Sequence, residues 1–91
     1  MAFEIAISAE ANLDIKEIRE YYFDVSSKIL KKFNAELIQS IEKISSNPEK
    51  FQKRYQQIKI VFIEKFPFYI HYLTSSNTVF VQRVLHRKQF S

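Results

Sequence analysis

Residues 29–48 read ILKKFNAELIQSIEKISSNP, and apolar side chains recur in this stretch every three or four positions. The repeating positions are Leu30, Phe33, Leu37, Ile41 and Ile44. This spacing predicts an amphipathic α-helix with one continuous apolar face. Asn47 and Pro48 end the helix, because proline disfavours the helical conformation in the residue that precedes it. The apolar face needs other elements to cover it, so the rest of the chain must supply them.

A shorter amphipathic pattern precedes this helix. Its apolar positions are Ala11, Ile15, Ile18 and Tyr22, which are spaced by four, three and four residues. Ser8 is placed to cap the beginning of this first helix, although Ala11 stands where a capping box would have glutamate. Asp24, Ser26 and Ser27 are short polar residues that interrupt the pattern and can cap the second helix. Such a short connection predicts an antiparallel helical hairpin.

Alternating apolar residues on either side of the hairpin predict β-strands. Phe3, Ile5 and Ile7 alternate with smaller or polar residues before the first helix. After the second helix, three more strands are predicted at residues 57–66, 68–73 and 78–86. The connections between them are short, including the polar turn at residues 74–77, and this favours an antiparallel meander.

The predicted elements form a single domain of residues 1–91. Their order predicts an α+β fold (β-α-α-β-β-β) with two layers, in which the antiparallel helical hairpin packs on one face of a small sheet. The sequence leaves open where the first strand joins that sheet. The other face of the sheet has no helices to cover it, so it must meet solvent or a partner. We expect basic, aromatic and histidine side chains on this uncovered face.

The sequence contains no glycine and no cysteine. Glycine provides positive φ angles and lets the backbone approach phosphate closely, so phosphate-binding loops, dinucleotide fingerprints and nucleophile elbows are excluded. The absence of cysteine excludes disulfides, thiolate zinc sites and cysteine nucleophiles. We therefore expect no cofactor and no metal. Tight turns are expected to use residues such as Asn77, which tolerates the left-handed conformation.

Charge is distributed unevenly along the chain. Residues 1–46 contain six Lys or Arg and eight Asp or Glu, whereas residues 47–91 contain eight and two. The second half also holds nine of the fourteen aromatic residues and both histidines. This composition indicates a surface for an anionic partner, or simply a solvated basic face. The longest apolar run, residues 60–63, is too short to span a membrane, so a cytoplasmic protein is expected.

Four segments of the chain form a recognisable set. They are residues 9–18 (AEANLDIKEI) with Tyr21 and Tyr22 after them, Asn47 with Pro48, residues 66–72 (FPFYIHY) and residues 84–88 (VLHRK). In this order, and over nearly the whole chain, they resemble the RelE/ParE superfamily of type II toxins from bacterial toxin–antitoxin modules. The resemblance implies the same two-layer fold and a toxin that a co-encoded acidic antitoxin neutralises.

Members of this superfamily have one of two activities. RelE-type toxins cut mRNA in the ribosome with basic side chains and often a tyrosine, whereas ParE-type toxins inhibit DNA gyrase. By resemblance, the central arginine of the RelE-type strand falls on Tyr69, and the carboxy-terminal tyrosine has no counterpart before Ser91. The resemblance therefore favours the ParE-like, plasmid-stabilisation branch, a gyrase inhibitor without catalytic activity. The alternatives are a ribosome-dependent mRNA endoribonuclease and a non-toxic relic that acts only as an antitoxin partner.

Seven residues are candidates for contact with the target or the antitoxin: Lys59, Tyr69, His71, Arg83, His86, Arg87 and Lys88. If the protein is a nuclease, the catalytic candidates among them are His71, His86, Arg87, Lys88 and Lys59. Two histidines with pKa values of about 6.5 could then act as base and acid. Structural roles compete with these. They are a half-exposed strand position for His71, a hydrogen bond near the chain end for His86, and a salt bridge at the rim of the helix-covered face for Arg83.

Overall fold

The computed structural model describes residues 2–51 and 53–90 of the chain. Its elements, in order, are β1 (Glu4–Ile7), α1 (Ala9–Val25), α2 (Ser27–Ser46), a 3-10 turn (Pro48–Lys50), β2 (Lys53–Tyr55), β3 (Ile58–Phe62), β4 (Phe68–Ser75), β5 (Thr78–His86) and the single helical turn α3 (Arg87–Phe90). The predicted α+β order of strand, helical hairpin and three strands is confirmed as β1, α1, α2, β3, β4 and β5. Strand β2 and helix α3 are additional to it. No helix in the described ranges is long and apolar enough to cross a membrane.

The five strands form one sheet in the order β1-β5-β4-β3-β2. Strands β2 to β5 pair antiparallel with their neighbours, as the meander prediction requires. Strand β1 pairs parallel with β5, with Ile5 opposite Val79 and Ile7 opposite Val81. The first strand therefore closes one edge of the sheet, a position that the sequence left open.

Serine residues set the limits of both long helices. The Ser8 hydroxyl accepts a hydrogen bond from the Ala11 N–H at 2.9 Å and so caps α1. Ser26 lies between the helices and serves both, because its N–H donates to the Tyr22 carbonyl and its hydroxyl accepts from the first turn of α2. Helix α2 ends at Ser46 with Asn47 as its C-terminal cap. The predicted capping residues and the predicted Asn47-Pro48 stop are confirmed.

The hairpin and the sheet enclose an aromatic cluster of Tyr22, Phe33, Phe66 and Phe68. The ring centroids of Phe33 and Phe66 lie 5.3 Å apart, and Tyr22 lies 5.5 Å from Phe33. Most of these rings meet edge to face, the arrangement that aromatic quadrupoles favour. Phe33 is fully buried. The cluster joins α1, α2 and the loop between β3 and β4 at one end of the domain.

A β-bulge at Gln82 changes the alternation of β5. His71 pairs with Arg83, but the next residue of β4, Tyr72, pairs with Val81, so Gln82 is an extra residue on β5. As a result both Val81 and Val84 point into the core. The Ser8 hydroxyl donates to the Gln82 carbonyl at 2.8 Å, which joins the bulge to the beginning of α1.

The chain makes its tight turns without glycine by placing other residues at positive φ. These residues are Gln56, Lys65 and Ser76. Two-residue loops join β2 to β3 and β4 to β5, and in each loop the first residue has the positive φ. The expectation that Asn77 adopts the left-handed conformation is wrong, because its neighbour Ser76 does so with φ 55°.

The predicted strand at residues 57–66 is shorter in the structure. Strand β3 ends at Phe62, and the chain then turns through the positive-φ residue Lys65. The Ile63 N–H still bonds the Phe68 carbonyl at 3.0 Å, which closes this loop at its base. The apolar residues of the loop, Ile63 and Phe66, are buried in the core rather than extended in the sheet.

Candidate functional site

The face of the sheet that the helices leave open is largely apolar. Cross-strand pairs place Ile60 beside His71, Phe62 beside Tyr69 and Leu73 beside Phe80. The apolar residues of this open face are Ile58, Ile60, Phe62, Tyr69, Leu73, Phe80 and Leu85. Phe62 is 46% exposed and Phe80 is 36% exposed. An exposed apolar surface of this kind is typical of a site for another macromolecule.

Tyr69 lies in the middle of this open face. Its ring packs on that of Phe62, with 5.4 Å between the ring centroids and 53° between the ring planes. Leu85 is its cross-strand neighbour on the other side. The position at which the resemblance places the arginine of RelE-type toxins is thus part of an apolar row.

His71 also lies on the open face, but its side chain is fully buried. The Tyr55 hydroxyl lies 2.8 Å from its Nδ1, and the two rings are 5.9 Å apart. Burial lowers the pKa of His71, and the positive charge of Arg83 lowers it further. The expectation of a half-exposed histidine is therefore wrong. The imidazole is favoured in its neutral form and is covered from substrates in solution.

Arg83 reaches from the open face to the rim of the sheet, where it meets α1. Its Nε and one NH2 group donate to the two carboxylate oxygens of Asp14 at 2.8 and 3.0 Å. The same Asp14 carboxylate accepts the Val84 N–H at 3.0 Å. The salt bridge expected for Arg83 at the rim of the helix-covered face is confirmed.

His86 lies on the opposite face from His71. It pairs with Phe68, whose ring packs into the helix-covered core, and the two rings meet edge to face at 5.3 Å. Its Nδ1 accepts the Lys88 N–H at 3.1 Å, which confirms a structural hydrogen bond near the end of the chain. Because the sheet separates the two histidines, they cannot act together as the base and acid of one nuclease site.

Lys59 lies on the helix-covered face, although the sequence led us to expect it on the open face. Its side chain is 5% exposed, and its Nζ donates to the Pro48 carbonyl at 3.2 Å and forms an ion pair with Glu49. The Tyr72 hydroxyl donates to the same Pro48 carbonyl at 2.7 Å. Two side chains of the sheet thus hold the 3-10 turn in place.

The structure divides the seven candidate residues among four places. Tyr69 and His71 lie on the open face, Arg83 reaches from that face to the rim, Lys59 and His86 lie on the covered face, and Arg87 and Lys88 are exposed in α3. The described residues contain no group of three or more His, Asp or Glu side chains that could hold a metal ion. The open face is thus mainly an apolar surface.

Several residues of this surface did not stand out in the sequence. Tyr55 belongs to a strand that was not predicted, and Phe80 was assigned only to a strand, without a face. The alternation of Ile58, Ile60 and Phe62 was visible, but Val61 and Ile63 alternate with them and are equally apolar. The single helical hairpin indicates that one face of the sheet is open, but it does not indicate which of the two alternating sets of β3 lies on that face.

Comparisons with known proteins agree with this architecture. The family model described as the ParE toxin of the type II toxin–antitoxin system, parDE, matches residues 5–89. A solved structure from the chromosomal ParDE TA system of P. aeruginosa is similar in fold, with a TM-score of 0.80 and 11% sequence identity. The similarity covers 93% of this chain and 96% of that one. Among curated protein sequences, no match to this chain is found.

Proposed function

Because this chain belongs to the ParE toxin family of type II toxin–antitoxin systems, we propose that it inhibits DNA gyrase in the cytoplasm and that a co-encoded antitoxin neutralises it. In this proposal the protein acts by binding and catalyses no reaction. The gyrase target comes from the family resemblance. The mode of action rests on the geometry of the open face.

One observation carries the proposal of a non-catalytic toxin. Cleavage of RNA by its 2′-hydroxyl requires an accessible base and a cation beside the phosphate. On the open face the histidine is covered, and the arginine is held by a two-point contact to Asp14. Tyr69 and Phe62 occupy the centre of the face instead. These side chains favour contact with a protein over chemistry on RNA.

The same open face is suited to the antitoxin. Phe62 and Phe80 offer exposed apolar side chains to the apolar stripe of a helix that folds on binding. The excess of basic residues in the second half of the chain would attract an acidic segment and speed the encounter. An antitoxin that covers this face would also prevent contact with a target that uses the same residues.

A gyrase assay tests the proposed target. We expect purified protein at micromolar concentration to inhibit supercoiling by gyrase and to stabilise a cleaved DNA complex. Induction in bacteria should arrest growth, and co-expression of the short acidic reading frame next to the gene should restore it. Growth arrest with unaffected gyrase and with mRNA cut at codon boundaries in a translation extract would overturn the proposal in favour of the ribonuclease. Harmless expression without antitoxin would instead identify a relic.

Surface variants test whether the open face binds the antitoxin. We expect Phe62→Ser and Phe80→Ser to weaken antitoxin capture at least about tenfold, because each removes an exposed ring from the apolar face. Ile38→Ser is the matched control, since Ile38 is 55% exposed on α2, in the helical layer. Equal affinities for all three variants, each with unchanged thermal stability, would place the antitoxin on another surface.

A further inference from the structure

A cleft lies between the 3-10 turn and the ends of β2, β3 and β4, and it borders the open face at Leu73. Its volume is about 400 Å³. The residues that line it include Glu49, Lys53, Lys59, Leu73 and Thr74. None of these except Lys59 was a candidate in the sequence. Its polar lining consists of two lysines, a threonine, a serine and a glutamine around one glutamate.

The carboxylate of Glu49 occupies this cleft with one donor on each of its oxygens. Lys59 Nζ lies 3.2 Å from Oε2, and the Thr74 hydroxyl donates to Oε1 at 3.3 Å. The Lys59 ammonium of β3 and the Thr74 hydroxyl of β4 are thus spaced so that the two oxygens of one carboxylate contact both. The cleft has the geometry of a carboxylate site in which the chain supplies its own occupant.

The two partners of this ion pair differ sharply in exposure. The side chain of Lys59 is 5% exposed, whereas that of Glu49 is 70% exposed. A buried ammonium needs a compensating anion, because unpaired charge in the interior is costly. Glu49 can return to water with little loss, because most of its surface is already hydrated. Release of Glu49 is therefore inexpensive only if another anion takes its place on Lys59.

The surroundings of the cleft favour such an incoming anion. The hydrogen bond and the charge of Lys59 lower the pKa of Glu49, and Lys53, which also lines the cleft, makes a smaller contribution in the same direction. Two cations against one carboxylate leave an excess of one positive charge. An ammonium group has three N–H donors, and within the described residues Lys59 bonds only the Pro48 carbonyl and Glu49. One donor of Lys59 is thus available to a ligand.

We propose that this cleft is a carboxylate-binding site in which Glu49 is an exchangeable occupant held by Lys59 and Thr74. The ligand is a carboxylate, either free in solution or carried by an acidic side chain of a protein partner. When it enters, it takes the two donors and Glu49 turns out to solvent. The site is independent of the gyrase target proposed above and would exist in a non-toxic protein as well.

The test is a titration followed by NMR of the backbone amides, with sodium acetate as the probe and sodium chloride at equal ionic strength as the blank. We expect saturable shifts at Lys59, Leu73 and Thr74. Glu49→Gln should lower the acetate Kd about tenfold, because the internal carboxylate no longer competes for the site. Glu42→Gln, which removes the same charge from an exposed position of α2, should leave the Kd unchanged.

A second variant and a second probe complete the test. Thr74→Val should raise the acetate Kd in the Glu49→Gln background, because it removes one of the two donors while Lys59 and the fold remain. A Glu49→Gln protein that binds acetate no more tightly than Glu42→Gln would overturn the proposal. So would saturable binding of inorganic phosphate without binding of acetate, because the site would then take phosphate.

Two capped tripeptides distinguish the sources of the carboxylate. They are acetyl-Ala-Glu-Ala-amide and its glutamine counterpart, which lacks the charge. Tighter binding of the glutamate peptide than of acetate indicates an acidic side chain as the ligand. Equal binding of the glutamate peptide and acetate indicates a site for free carboxylates. Equal binding of the two peptides would contradict a carboxylate site.

Discussion

The carboxylate of Asp14 in α1 binds both the guanidinium of Arg83 and the backbone of β5. Arg83 donates to its two oxygens at 2.8 and 3.0 Å, and the Val84 N–H donates at 3.0 Å. Strand β1 ends at Ile7, so this part of β5 has no neighbouring strand on the side away from β4. Asp14 therefore supplies the acceptor that a further strand would have provided. One side chain closes the edge of the sheet and fixes α1 against it.

Removal of this carboxylate should cost more stability than removal of its cationic partner. We expect Asp14→Ala to lower the free energy of unfolding by about 1–3 kcal/mol, because it leaves the Val84 N–H without its acceptor. Arg83→Gln should cost less than about 1 kcal/mol, because that side chain is nearly half exposed and can rehydrate. Urea denaturation of both variants measures the difference. Equal losses of unfolding free energy in the two variants would mean that Asp14 stabilises the fold through its ion pair with Arg83 and not through its hydrogen bond with the Val84 N–H.

Phe33 should be among the most sensitive positions of the core. It is fully buried and contacts the rings of Tyr22, Phe66 and Phe68. Phe33→Ala should therefore lower the free energy of unfolding by about 3–5 kcal/mol through the cavity that it leaves. Phe23→Ala is the control, because Phe23 is 65% exposed and its loss should cost about 0.5 kcal/mol or less. Thermal and urea unfolding measure the stability of both variants. Similar losses of stability for Phe33→Ala and Phe23→Ala would argue against the aromatic cluster as a main contributor to the core.

The buried His71 should make stability depend on pH. Its pKa is lowered from the ordinary value of 6.5 by burial and by Arg83. The unfolded chain therefore binds a proton that the folded chain does not bind, between pH 6.5 and the lower folded pKa. Consequently the free energy of unfolding should fall as the pH falls through this window, by at most about 1.4 kcal/mol per pH unit.

Urea denaturation between about pH 7.5 and about pH 5 measures this slope. His71→Gln removes the titrating group, so we expect a smaller slope for this variant over the same range, whatever its absolute stability. Identical slopes for the variant and the parent protein would show that other groups cause the pH dependence.

Glycine should improve one of the turns that the chain makes without it. Ser76 has φ 55° at the first position of the loop between β4 and β5. The left-handed conformation costs a residue with a side chain roughly 1–2 kcal/mol, and glycine avoids this cost. Part of the gain is lost, because glycine gives the unfolded chain more conformational entropy. We therefore expect Ser76→Gly to raise the free energy of unfolding by about 1 kcal/mol. Asn77 lies next to Ser76 and has no positive φ, so Asn77→Gly should not raise the free energy of unfolding. An increase for Asn77→Gly would contradict the assignment of the positive φ to Ser76.

Local signals in the sequence were sufficient to predict the helical layer. Ser26 and Asn47 mark helix limits through their own backbone hydrogen bonds, so neighbouring residues alone determine them. The position of β1 depends on a contact with β5 that is more than 70 residues away in the chain. No local pattern carries that information. Strand β2 is three residues long and its register shifts, so it has too few positions to show alternation.

The candidate site was harder to predict because β3 is apolar on both faces apart from one lysine. A lone lysine in such a strand usually points to solvent, whereas Lys59 is buried on the helix-covered face. Its buried position is stabilised by the Pro48 carbonyl and by Glu49, both of which lie on another element. The placement of Lys59 then assigns Ile58, Ile60 and Phe62 to the open face. Both partners of Lys59 are tertiary contacts, so no pattern within β3 shows which of its faces is open.

The extra residue at Gln82 also limits how this protein can diverge. Loss of that single residue would exchange the faces of residues 83–86, which would turn Val84 outward and Arg83 into the core. Substitutions in this segment alter one contact at a time, whereas a one-residue deletion alters the core, the rim and the helix α3 junction together. The last part of β5 should therefore vary among descendants in residue identity but keep a constant length.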